Sequence, residues 1–263
     1  MIPRPSIAKW KANAPWNSFA QVEQDLVICR ILVELFSDDL IRNNLAFRGG
    51  TALNKLYLTD SPRYSEDIDL VQINNGPIGP IINRIDKAIS FFEERRIFKQ
   101  KAHNNTIIYR FLSEYPPQVR LKLKLEINCR EHFSVLGWKM IPFKVDSDWF
   151  SGMCEITTYD INELLATKLR ALYQRKKGRD LFDLFYAQQR VPINFGLLIA
   201  CYKEYIDFAV DIPPSKKQFL KNLDRKRTDP NFAGDMEGLL QPGFIYNQNL
   251  AFNWIENTLN EYL

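Results

Sequence analysis

The sequence predicts an α+β fold: a mixed or antiparallel sheet flanked by helices over residues 1–158, followed by an all-helical C-terminal region over 159–263. Three observations carry this prediction. A long apolar helical pattern, Phe19 to Phe36, precedes the first strand signal. Short alternating apolar runs cluster between Leu45 and Thr158. Beyond Asp160 the apolar residues recur with helical spacing almost to the end. The 263 residues are 46% hydrophobic and 25% charged, the profile of a folded globular chain rather than a disordered one.

Taken in order, the first fifteen residues are proline-punctuated and read as an irregular lead-in. Val22, Leu26, Ile28, Ile31, Leu32, Leu35 and Phe36 mark the first helix. Leu45 to Phe47 reads as a short strand meeting Gly49-Gly50-Thr51, then a helix-like stretch from Ala52 to Leu58. After the Ser61-Pro62 turn, Tyr64 to Ile73 reads as a strand closed by Gly76-Pro77 and Gly79-Pro80. Residues 81–96 read as a helix. Thr106–Leu112 and Val119–Asn128 read as an antiparallel pair joined by a proline-rich loop. Weaker strand signals follow at Trp138–Val145 and Cys154–Thr158. Asp160 with Glu163 fits a capping box, and helices are expected at 161–176, 179–190, 193–210, 215–226 and 248–262.

Several function classes are disfavoured at once. The net charge of +4 is too small to mark a nucleic-acid binder by itself, though it permits one where charge is concentrated. No apolar run approaches the ~18 residues of a membrane span, and the amino terminus has no signal-peptide hydrophobic region, so a cytoplasmic location is expected. Cys29, Cys129, Cys154 and Cys201 show no Cys-x-x-Cys spacing, which argues against a disulfide framework or a zinc site. The two histidines, His103 and His132, are thin material for zinc or serine–histidine chemistry.

The chemistry concentrates in Arg63-Tyr64-Ser65-Glu66-Asp67-Ile68-Asp69. In a strand, Ser65, Asp67 and Asp69 point to one face and Ile68 and Leu70 to the other. Two carboxylates about 7 Å apart along the backbone can converge on one cation. Mg²⁺ suits them, since it takes one or two carboxylates plus phosphate oxygens and water. The alternating run Arg120 to Ile127 puts Lys122, Lys124 and Glu126 on one face, offering Glu126 as a third acid, or simply a solvated strand face. Gly49-Gly50-Thr51 offers backbone N–H groups favourable to phosphate, or a plain turn; no Walker or dinucleotide pattern surrounds it. Lys168 falls inside an apolar helical stripe, where it either snorkels or sits beside an anion. Asp180 and Asp183 share a helical face and could equally complement the helix dipole.

The blocks FRGGTALNKLYL, PRYSEDIDLV, KLEINCREHF and ELLATKLRALYQRKKGRDLFDLF, in this order over about 47–185, resemble the AbiEii/AbiGii toxin family of nucleotidyltransferases. That family lies within the DNA-polymerase-β-like nucleotidyltransferase superfamily. The resemblance implies a nucleotidyltransferase sheet core and an NTP substrate, with Mg²⁺ or Mn²⁺ as cofactor. It also implies a role as toxin in a type IV toxin–antitoxin or abortive-infection (phage-defence) system, with a cognate antitoxin. Some members modify the acceptor end of tRNA, so RNA is the implied acceptor, with a protein hydroxyl as the alternative that the same site could serve. By the same resemblance Gly49, Gly50 and Thr51, with Ser65, bind nucleotide phosphates, and Asp67, Asp69 and Glu126 hold metal. Lys168 and either Asp180 or Asp183 complete the catalytic set from the helical region. The interval from Gly50 to Asp67 is longer than the minimal superfamily pattern. The basic stretches Arg170–Arg179 and Lys216–Arg227 are possible RNA contacts or solvated helical faces. A catalytically silent nucleotide sensor, or an antitoxin-binding module on the same fold, is the alternative.

Overall fold

The computed structural model describes residues 2–263 and divides into two compact units. The first comprises residues 2–52, 63–134 and 138–159; the second comprises 53–62, 135–137 and 160–263.

The first unit opens with α1 (Arg4–Trp10), where an irregular lead-in was expected. Pro5 falls in the first turn, where a missing N–H costs nothing, so the proline that reads as a breaker instead starts the helix. Ile7 and Trp10 are buried, and the indoles of Trp10 and Trp16 both donate to the Asp25 carboxylate on α2 (Phe19–Phe36), at 2.9 and 3.2 Å. Ser18 and Gln21 form a capping box at the start of α2, which is buried along most of its length. The short α3 (Asp39–Asn44), capped by Asp38, leads into β1 (Leu45–Arg48). Next come α4 (Gly49–Ala52) and a π-helical turn, Leu53–Tyr57. Then follow β2 (Asp67–Gln72), α5 (Gly79–Ala88), β3 (Ile97–Lys101), β4 (Asn104–Leu112), β5 (Arg120–Asn128), β6 (Lys139–Asp146) and β7 (Ser151–Thr158).

The expected helix 81–96 stops at Ala88, and β3 was not anticipated. Phe91 and Phe92 prolong the helical-looking pattern. In the fold, however, Phe92 stacks on Tyr109 and packs against Phe111 of β4. The seven strands form one mixed sheet in the order β3-β4-β5-β2-β1-β7-β6. β2 runs parallel to β5 and β1 parallel to β7, and the remaining pairs are antiparallel. Pro142 is tolerated because β6 is an edge strand.

The second unit contains α6 (Ile161–Gln174), α7 (Gly178–Ala187), α8 (Phe195–Ala209), α9 (Lys216–Arg227), α10 (Pro230–Gly234) and α11 (Gln248–Tyr262). Asp160 caps α6 through the N–H of Asn162, but Glu163 is not its capping-box partner. The Glu163 carboxylate instead accepts from the N–H groups of Val135 (2.7 Å) and Leu136 (2.9 Å) and from the Tyr205 hydroxyl (2.7 Å). Gly178 lets α7 begin against α10: a methyl group there would lie 2.4 Å from the Phe232 carbonyl oxygen. Among the described residues no helix is long and apolar enough to cross a membrane.

Candidate active site

β2 supplies the centre of the site. Ile68, Leu70 and Val71 are buried, while Asp67 and Asp69 are only half-buried. Through the β2–β5 register Asp69 lies opposite Glu126, and Asp67 lies opposite Lys124. Directly opposed residues share a face of the sheet, so all three acids stand together. Their side chains keep access to water, at 37% exposure for Asp67 and 35% for Glu126.

The Lys124 ammonium lies between Asp67 (3.2 Å) and Glu126 (3.4 Å). Partial burial works against its charge, yet the two carboxylates outweigh this and raise its pKa above the ordinary lysine value. The sequence reading placed Lys124 on the correct strand face but gave it no role. Its signal was the i, i+2 spacing to Glu126, which sets both side chains side by side.

On the other side of β2, Gly49 closes the turn after β1. Its φ of +81° is a left-handed conformation that favours glycine, and a methyl group there would lie 2.2 Å from Asp69 Oδ2. The Asp69 carboxylate thus packs directly on the glycine turn. Thr51 is buried, and its hydroxyl donates to the Asp67 carbonyl (2.5 Å) and lies 2.9 Å from the Ser65 hydroxyl. The Thr51 side chain therefore ties α4 to the start of β2. Arg48, opposite Asp69 on β1, also shares this face. Its guanidinium pairs with buried Glu131 at 2.5 Å, and Asn128 fixes the Glu131 turn by accepting the N–H groups of Arg130 and Glu131. Nothing in the residue pattern had singled out Arg48 beyond its place before the glycines.

The expected three-carboxylate cage is not ready-made. Among the described residues no three His, Cys, Asp or Glu side chains are grouped to hold one ion. The physical reason is Lys124, whose ammonium occupies the space between Asp67 and Glu126. The donor chemistry nonetheless fits a hard divalent cation that completes its shell with phosphate oxygens and water, and Lys124 already stands there as a resident positive charge.

In the second unit Lys168, Asp180 and Asp183 meet one another. The Lys168 ammonium lies 2.8 Å from Asp183 and 3.3 Å from Asp180, so the anion-paired alternative holds and snorkelling does not. Side-chain exposures are 6% for Lys168, 0% for Asp180 and 1% for Asp183. Arg175 forks onto Asp180 at 2.7 and 2.8 Å. Burial opposes ionisation of Asp180, but Lys168 and Arg175 prevail and hold its pKa below the ordinary carboxylate value.

The basic junction that looked available to RNA is internally paired. Lys176 pairs with Asp229 (2.8 Å), and Lys177 and Arg179 with Asp235 (3.1 and 2.9 Å). Arg170 is buried beside Tyr205. In α9, Lys226 is buried and donates to the carbonyls of Leu172 and Tyr173, burial pushing its pKa down to about 8. Arg227 pairs with Glu256, and Lys216 donates to the Asn260 carbonyl. Lys217, Lys221 and Arg225 are the exposed cations of that helix. The four cysteines form no disulfide, and His132 Nδ1 lies 2.8 Å from the Gln72 carbonyl.

A mixed sheet with paired aspartates on one strand, a third acid on its neighbour and a glycine turn against them is the sheet of a nucleotidyltransferase. The fold is similar to that of MenT4, a nucleotidyltransferase toxin from Mycobacterium tuberculosis H37Rv (TM-score 0.71, 16% identity, 99% of this chain and 90% of that one). It is also similar to JHP933 from Helicobacter pylori (TM-score 0.60, 20% identity, 93% and 92%). No curated protein matches by sequence. The family described as "Nucleotidyl transferase AbiEii toxin, Type IV TA system" matches residues 30–256. The chain belongs to this family, the nucleotidyltransferase toxins of type IV toxin–antitoxin systems.

Proposed function

We propose that the chain transfers a nucleotidyl group from an NTP to a hydroxyl of an RNA acceptor, tRNA being the acceptor the family resemblance favours. The reading is carried by one observation: Asp69 packs on the Gly49 turn while lying opposite Glu126, with Asp67 on the same face. The acceptor oxygen bonds to the α-phosphorus, the α–β bridging bond breaks, and pyrophosphate leaves. Asp67 and Asp69 would hold Mg²⁺, or Mn²⁺ in its place. When bound, the ion supplies the positive charge that the triphosphate and departing pyrophosphate need. Glu126 takes the proton of the acceptor hydroxyl. Lys124 offsets the mutual repulsion of the three carboxylates. Gly49 and Gly50 let the backbone approach the phosphates, and the Ser65 hydroxyl adds a polar contact beside Thr51.

Lys168, Asp180 and Asp183 support the activity by holding α6 and α7 together through charges that compensate one another. In the cell the chain is proposed to act in the cytoplasm as the toxin of a phage-defence system, restrained by a cognate antitoxin. The test is incubation with each α-³²P-labelled NTP, Mg²⁺ and total RNA. Label that RNase removes and protease does not is expected, and Asp69→Asn should abolish it. Label confined to protein, or undiminished labelling by Asp69→Asn, would overturn the reading.

A further inference from the structure

The alternation that gathers the acids on one sheet face gathers cations there too. One rung runs from Lys99 on β3 through Thr106 and Glu126 to Asp69. By the same register Lys101 on β3, Arg110 on β4, and Arg120, Lys122 and Lys124 on β5 share this face. The opposite face of β4 and β5 is the core side, with Ile107, Tyr109, Phe111, Leu123, Leu125 and Ile127 all buried. Lys124 is engaged by Asp67 and Glu126, and Arg120 pairs with Glu94. Lys99, Lys101, Arg110 and Lys122 are exposed and, among the described residues, have no ion-pair partner.

By the register the four fall in two pairs. Lys99 and Lys101 stand about 7 Å apart along β3, and Arg110 lies opposite Lys122, about 5 Å away. The rung Ile97–Ile108–Lys124 lies between the pairs, which are separated by about 14 Å along the strands. A single small anion would neutralise one pair only. A polynucleotide strand offers regularly repeated negative charge that can reach both, and Lys99 is three inter-strand spacings, about 14 Å, from Asp69.

We propose that this open face of β3, β4 and β5 holds the phosphodiester backbone of the RNA acceptor. Lys99, Lys101, Arg110 and Lys122 make the contacts that lead the reactive end to Asp69 and Glu126. The inference rests on the nucleotidyl-transfer reading and names the surface that serves it. It assigns the acceptor's backbone to the sheet rather than to the basic stretches of the helical region, most of whose cations are ion-paired, bonded to carbonyls or buried.

The experiment is fluorescence anisotropy of the full chain with a labelled 20-nucleotide single-stranded RNA between 50 and 200 mM KCl, without NTP. Each phosphate contact contributes about 0.7 to the slope of log affinity against log salt. The variant Lys99→Gln/Lys101→Gln/Arg110→Gln/Lys122→Gln should therefore lose about 3 from that slope, and Arg110→Gln/Lys122→Gln about half as much. Both should keep the parent melting temperature and the parent affinity for a fluorescent NTP. Lys217→Gln/Lys221→Gln/Arg225→Gln, which removes the exposed cations of α9, should leave the slope unchanged. An unchanged slope in the fourfold variant, a loss carried by the α9 variant, or no RNA binding by the parent would overturn the proposal. Slope loss in a chain that labels no acceptor would uphold the surface and reject nucleotidyl transfer, so the two failures are distinguishable.

Discussion

Two clusters built from the same residue types behave in opposite ways. On the sheet, Asp67, Asp69 and Glu126 are half-exposed and carry more negative charge than Lys124 offsets. In the helical unit, Lys168, Asp180 and Asp183 are buried, and Arg175 adds the second positive charge that balances them. The lesson is electrostatic. A buried set of charges survives only when compensated from within, and it then has little left to offer a ligand. A half-open set can stay under-compensated, because water screens it, and so keeps its capacity for a cation and a phosphate. Residue type alone does not separate the two; burial and balance do.

Asp69→Asn sharpens the contrast most. It should lower NTP-dependent labelling at least about 10³-fold while leaving the melting temperature nearly unchanged, as scintillation counting and calorimetry on the same sample would show. Lys168→Met should do the reverse in stability, costing about 3–5 kcal/mol by stranding two buried carboxylates. Urea unfolding reads this, and a loss below about 1 kcal/mol would mean that the cluster is not the compensated core described here.

Gly49→Ala probes the join between turn and acid. The left-handed backbone costs about 1–2 kcal/mol with a side chain, and the added methyl must displace the Asp69 carboxylate. Labelling should fall about 10- to 100-fold, since small misplacements of reacting groups are costly.

The smallest effect concerns Asp235, whose pKa is held at about 2. Burial alone would raise it, but Arg179 and Lys177 bring it down. Its unfolded value is near 3.8, so its stabilisation is present above that pH and is lost as pH falls towards 2. Asp235→Asn should therefore cost about 1 kcal/mol at pH 7, allowing for solvent screening, and progressively less as pH falls from 3.8 to about 2. Thermal unfolding across pH 2–7 checks the sign.

Much of this was legible in the residues, for local reasons. The Asp67–Ile68–Asp69 alternation fixes which side chains face the core, and the apolar spacing from Val22 to Phe36 marks α2. What escaped depends on distant partners. β3 is a charged edge strand with little periodicity of its own, recruited by pairing with β4. The ion pairs that engage the basic junction come from Asp229 and Asp235, more than fifty residues further along. Glu163 looked like a capping residue because its true partners, Val135, Leu136 and Tyr205, lie outside its helix. The parallel register that sets Glu126 opposite Asp69 is likewise a tertiary fact.

The most direct test is α-³²P-NTP labelling of RNA by the intact chain beside Asp69→Asn, with both melting curves recorded in the same buffer. Loss of label with coincident melting curves is the expected result. Equal labelling by the two proteins would place the chemistry elsewhere than on the β2–β5 face and contradict the account.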